Sequence, residues 1–135
     1  MSNCGAARIT LADLREYRFG TPAEQNYRIF PDDLERDPEV FFHGTGRCFL
    51  QSIVDGGFRF PPPDRAQSVS FARTSDVPLG YASGLGADGV VIAVRFDARN
   101  GSVRADEPFG LHVYRFDPQP EIVGYCIVPA AYVHR

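Results

Sequence analysis

The sequence predicts an α+β domain in which short strands dominate and two or three short helices are inserted between the early strands. Three observations carry this expectation. Val90-Val91-Ile92-Ala93-Val94 is a continuous apolar run of the kind a strand buried on both faces requires. Further β-prone runs recur between turn residues, at Val40-Phe41-Phe42, Ser68 to Ala72, Leu111 to Phe116 and Glu121 to Pro129. The 135 residues, 44% of them hydrophobic, can bury one core but are too few for two ordinary domains, and no repeat divides them.

From the N-terminus, Ile9, Leu11, Leu14 and Tyr17 stand at mostly helical spacing, with Thr10 and Asp13 placed to cap, so a short amphipathic helix is predicted there. Gly20, Thr21 and Pro22 break it, and Tyr27 to Phe30 reads as a short strand or an extended lead-in. Asp32 to Pro38 reads as a charged surface segment. Val40-Phe41-Phe42 is a strand that gives way to a turn at His43-Gly44-Thr45, a position where chemistry is often housed. Phe49, Leu50, Ile53 and Val54 predict a helix of about two turns that stops at Gly56-Gly57. Phe58 to Phe60 is a possible strand before the stiff loop of Pro61-Pro62-Pro63. Thr74 or Ser75 can cap a helix that carries Leu79 and Tyr81 and ends at Gly84 and Gly86, Pro78 being acceptable only in its first turn. Gly89 to Phe96 is the strongest strand, and the last two runs read as an antiparallel pair joined through Asp117-Pro118-Gln119-Pro120.

The formal net charge is −3 and the pI about 5.5, so the chain offers no long-range attraction to phosphate backbones and nucleic acid is disfavoured as a partner. Cys4, Cys48 and Cys126 are odd in number and widely spaced, which implies neither a disulfide framework nor a zinc site. No apolar run approaches the length that spans a bilayer, and no basic segment precedes an apolar one at the N-terminus, so the expected compartment is the cytoplasm.

Several segments follow one another in a fixed order with short gaps. They are Phe42-His43-Gly44-Thr45, the helix closing at Gly56-Gly57-Phe58, Ser70-Phe71-Ala72-Arg73, and Gly80-Tyr81-Ala82. This order resembles the poly(ADP-ribose) polymerase branch of the ADP-ribosyltransferases, the His-Tyr-Glu branch. There a strand ends in His-Gly-Ser or His-Gly-Thr, a helix and a glycine follow, and an aromatic-Phe-Ala strand precedes a helix carrying a tyrosine. Tyr81 stands at the family's spacing beyond Ser70-Phe71-Ala72, and Glu121-Ile122-Val123 resembles the third motif, a glutamate opening a late strand. His-Gly-Thr alone is a weak signal; the specificity lies in three motifs in order, each on its expected element.

The resemblance implies an ADP-ribosyltransferase fold of two small, mostly antiparallel sheets packed face to face. A lead-in over residues 1–38 would precede an NAD-binding core over 39–135. It implies NAD as co-substrate, no metal, and mono-ADP-ribosyl transfer to an acceptor, protein or water. NAD's glycosidic bond breaks through a cation-like transition state, which calls for a held nicotinamide, a fixed ribose and a nearby carboxylate. By resemblance, His43 would bind the adenosine ribose, Gly44 the nicotinamide carboxamide through its backbone, and Tyr81 the nicotinamide ring by stacking. Glu121 would bind the nicotinamide ribose and carry the rate, while Thr45, Ser70 and Phe71 would complete the cofactor site.

Two positions depart from the pattern. Ser70 stands where the branch has a tyrosine, and Pro78 where relatives have a serine that contacts the carboxamide. These departures keep a second class in view, an ADP-ribosyltransferase-like module that binds a nucleotide or a protein without chemistry. The tRNA 2′-phosphotransferases share a similar His-Gly-Thr, but the basic phosphate-binding residues they need are not evident. Taken singly, a histidine after a strand, a helix tyrosine and a glutamate after proline are each more often structural than functional, and His112 and His134 read as structural.

Overall fold

The computed structural model describes residues 11–20, 22–58, 69–95, 102–106, 110–115 and 119–134. Seven strands alternate with short helices: β1 (Glu16–Tyr17), α1 (Asp32–Glu35), β2 (Val40–Gly46), α2 (Leu50–Gly56), β3 (Val69–Ala72), α3 (Asp76–Tyr81), β4 (Gly89–Arg95), β5 (Ser102–Asp106), β6 (Gly110–Arg115) and β7 (Glu121–Val128). The α+β class read from the sequence holds. No described helix is long and apolar enough to cross a membrane.

The strands form one sheet in the order β1-β7-β4-β2-β3-β6-β5, antiparallel throughout except for the parallel pair of β1 and β7. This corrects the expectation of two sheets packed face to face. Each face is covered instead by helices and connecting segments. β4 lies at the heart of it, with Val90 to Val94 fully buried, because its continuous apolar run has neighbours above, below and on both edges.

Alternation along the strands sorts the core into two layers. On one face Val40, Phe42, Val91, Ala93 and Cys126 pack against Leu79 and Ala82 at α3 and against Phe30 and Leu34. On the other, Phe41, Phe71, Val90, Ile92 and Val113 pack against Leu50 of α2 and against Phe58. These are called here the α3 face and the α2 face. Glycines let backbone approach the α3 face closely. A side chain on Gly44 would lie 2.9 Å from the Pro78 carbonyl carbon and 3.1 Å from its Cα, and one on Gly89 would lie 2.6 Å from the Ala82 carbonyl carbon. The backbone of α3 therefore runs from above β2 to above β4 in a track that only glycines leave open.

Several local expectations change. Leu11–Asp13 is a single 3-10 turn rather than a helix reaching Tyr17, because Tyr17 pairs with Cys126 and lays its ring where a Gly124 side chain would stand. Tyr27 to Phe30 is no strand: Asn26 and Tyr27 take positive φ, and Ile29 and Phe30 turn into the core. Asp32–Glu35 is helical, and Glu35 is buried rather than on the surface. β5 was not expected at all. β6 and β7 do not pair with each other: β6 lies between β3 and β5, and β7 crosses the sheet to lie between β1 and β4. Residues 59–68, which hold the proline loop, lie outside the described residues.

Candidate functional site

β2 and β3 are joined at one place, the pair Phe42↔Ala72. Antiparallel continuation would set His43 beside Phe71 and Gly44 beside Ser70, but the ladder stops, and the two strands diverge as a fork open toward Gly46 and Val69. The other edge of β2 stays fully paired with β4 from Val40 to Gly46, so only the edge facing the fork leaves the ladder.

A side chain spans the gap. His43 Nδ1 lies 2.8 Å from the Ser70 carbonyl oxygen. A carbonyl only accepts, so the ring carries its proton on Nδ1 and keeps Nε2 as an acceptor. Burial pushes the His43 imidazole below the ordinary histidine value, which the Ser70 carbonyl opposes, so the ring is held neutral. It lies on the α2 face between Phe58 and Phe71, with ring centroids 5.3 Å and 5.5 Å away. Thr45 follows on the same face opposite Val90.

On the α3 face the fork is bounded by Gly44, α3, Ser70 and His112. Val69 and Phe71 are buried on the α2 face, which turns Ser70 to the α3 face; Leu111 and Val113 do the same for His112. Ser70 and His112 are register partners, and Ser70 Oγ lies 3.0 Å from His112 Nδ1. Tyr81, at the end of α3, is 72% exposed and so presents a bare ring. The missing Gly44 side chain makes room for α3, not for a ligand; Gly44 can meet a ligand only through the strand edge that faces the fork.

A buried polar group fixes α3. Ser75 precedes the helix, yet its hydroxyl does not cap it: Ser75 Oγ donates to Glu35 and accepts from the Ile29 N–H at 2.8 Å. Glu35 also accepts from the Ser75 N–H at 3.0 Å and the Phe30 N–H at 3.1 Å. Glu35 is 5% exposed, and burial pushes its carboxyl group above the ordinary carboxylate value despite these donors. At the helix's other end, His134 packs beside Gly80, and its Nδ1 and the Tyr132 hydroxyl share a hydrogen bond of 2.9 Å.

Glu121 does not join this group. It pairs with Arg95 at the rung of Val40, three rungs from the His43 rung and two strands away, about 10 Å in each direction. A bulge in β7 pairs Ala93 with Gly124 but Val94 with Ile122, which shifts the alternation and turns Glu121 to the α3 face. There it adds to the negative surroundings of the Arg95 guanidinium, which Asp37 binds at 2.7 Å. His43 and Glu121 thus lie on opposite faces and toward opposite ends of the sheet.

The structure therefore gathers His43, Gly44 and Ser70 at the fork, sets Tyr81 at the end of α3 that has passed over to β4, and leaves Glu121 apart. Phe71 is a buried support for His43 and no wall of the α3 face. His112, read from the sequence as structural, stands on the α3 face beside Ser70, because Leu111 and Val113 on either side of it join the other core layer. Among the described residues no His, Cys, Asp and Glu side chains gather in a metal-binding group. No family model, curated protein or solved structure matches the chain.

Proposed function

We propose that the fork between β2 and β3 is a dinucleotide site, and that the chain is an NAD-binding domain of the ADP-ribosyltransferase type that holds its ligand without the carboxylate that drives transfer. The observation that supports this is the convergence on one fork of His43, Gly44 and Ser70, residues far apart in sequence that the motif order had singled out, under a helix bearing Tyr81. Tyr81 offers its exposed ring to the nicotinamide, the open edge of β2 offers backbone groups to the carboxamide, and His43 Nε2 accepts from a ribose hydroxyl.

Transfer is the second reading, and the position of Glu121 counts against its simplest form. Breaking the bond to nicotinamide builds positive charge on the ribose, and a carboxylate must be in contact to stabilise it. A group about 10 Å off along both axes of the sheet cannot be.

Calorimetric titration with NAD, run beside an assay for released nicotinamide, separates these readings. Saturable binding without release supports the module. Tyr81→Ala should weaken binding about 5- to 30-fold, the scale of one aromatic contact, and Glu121→Gln should change nothing. Sustained nicotinamide release would move the chain to the transferases or hydrolases, and failure to bind NAD would remove the reading altogether.

A further inference from the structure

Two large rings stand exposed on the α3 face where the fork opens. Phe49, 55% exposed, comes just after β2, and its ring lies over Gly46, whose side chain would meet it at 3.5 Å. Tyr81, 72% exposed, closes α3. Gly46 is the register partner of Gly89, and Gly89 is covered by Ala82. α3 therefore runs diagonally, from Pro78 over Gly44 to Ala82 over Gly89, and Phe49 occupies the corner beside it on β2.

Helical spacing decides which way Tyr81 turns. Leu79 joins Phe42 and Ala93 in the core, and the flank of Gly80 is taken by His134. Tyr81 stands three residues beyond Pro78, on the other flank of the helix, which looks across Gly46 to Phe49. Two rings raised over a glycine floor suit a flat partner that stacks. Arg47, between Gly46 and Phe49, gives one guanidinium nitrogen to Asp88 at 3.0 Å, and with its side chain 58% exposed it keeps further N–H donors within reach of a ligand. A phosphate takes such donors well. Stacking rings select a flat heterocycle, and the guanidinium selects an anion joined to it.

We infer that Phe49 and Tyr81 are the two walls of one cleft at the mouth of the fork, which grips the flat base of a nucleotide while Arg47 meets the adjoining phosphate. The inference rests on the dinucleotide reading of the fork and deepens it, since it names the ring that faces Tyr81 and the cation that follows it. Nicotinamide and adenine share the chemistry that such a cleft recognises.

The test is calorimetric titration of the full chain with NAD, nicotinamide mononucleotide and AMP, for the wild type and for three variants that a thermal melt shows to be folded. Phe49→Leu keeps the apolar bulk and loses the ring, and should weaken NAD binding about 2- to 12-fold, the worth of a ring contact beyond its area. Phe49→Tyr keeps the ring and should bind as the wild type does. Arg47→Gln should weaken NAD binding about tenfold, the scale of a hydrogen bond to a charged group. The mononucleotide that loses affinity in Phe49→Leu identifies the base in the cleft, and its ring protons should move upfield on binding, less so in that variant. Unchanged NAD binding in Phe49→Leu, equal losses in Phe49→Leu and Phe49→Tyr, or unchanged binding in Arg47→Gln would overturn the inference while leaving the fork a nucleotide site. A wild-type chain that does not bind NAD would instead remove the dinucleotide reading beneath it.

Discussion

Gly44→Ala tests how the fork is built. The added methyl would lie 2.9 Å from the Pro78 carbonyl carbon and 3.1 Å from its Cα, and still closer to the carbonyl oxygen, all backbone atoms that no rotamer change can move. Ordinary carbon contacts need about 3.5–4.0 Å, so α3 must withdraw by roughly 1 Å. It is held against doing so by the Glu35–Ser75 bonds at one end and by Leu79 and Ala82, 0% and 1% exposed, along its length. Overpacking of this kind costs about 1–3 kcal/mol, and replacing a strand glycine returns about 0.5 kcal/mol of that. A net loss of about 0.5–2.5 kcal/mol should lower the melting temperature by roughly 2–9 °C for a chain of this size. Gly46→Ala is the control: two residues on in the same strand, its methyl would meet the Phe49 ring at 3.5 Å and the Cys48 sulfur at 3.6 Å, both ordinary contacts with side chains. Parallel melts by circular dichroism decide the matter. If Gly44→Ala melts with the wild type or with Gly46→Ala, α3 does not lie against β2 as described.

Three further outcomes follow from buried titrating groups. Glu35 is raised in the folded state, so its contribution is fully present below its ordinary value of 4.5 and is lost as pH rises through the folded value; urea midpoints of Glu35→Gln from about pH 4 to 7 should lack that fall. His43 is lowered, so its contribution is present above 6.5 and is lost as pH falls through the folded value. His43→Asn, which keeps a donor for the Ser70 carbonyl but cannot titrate, should show a shallower acid loss in the same experiment. Burial pushes the Cys126 thiol up to about 12, whereas Cys48 is exposed, so mass-mapped alkylation at neutral pH should mark Cys48 and reach Cys126 only on unfolding.

What could be read from the sequence was set by local pattern. β4 was legible because a strand buried on both faces is a continuous apolar run, and α3 because Ser75 and the positive-φ glycines Gly84 and Gly86 bracket it. β5 was not, since the alternation of Ser-Val-Arg-Ala-Asp is short, rests on Val103 and the small Ala105 alone, and stands at the sheet edge. Pairing was not legible: the antiparallel pair expected of the last two runs does not form, because β6 lies between β3 and β5. Nothing in Glu121 to Val128 says that this strand crosses to β4. The segments that carry His43, Gly44, Ser70 and Tyr81 were legible because their motifs are local. Glu121 was misplaced because a bulge at Val123, which simple alternation cannot foresee, reverses its face, and because strand order rather than sequence order sets its distance.

The location of the ligand is the central claim, and a chain of 15.0 kDa allows it to be seen directly by amide NMR. With amides assigned, titration with NAD should shift Gly44, Thr45, Ser70, Tyr81 and His112 in concert while Glu121 and Arg95 stay still. Shifts centred on Glu121 and Arg95, or spread evenly over the sheet, would contradict a nucleotide site at the fork.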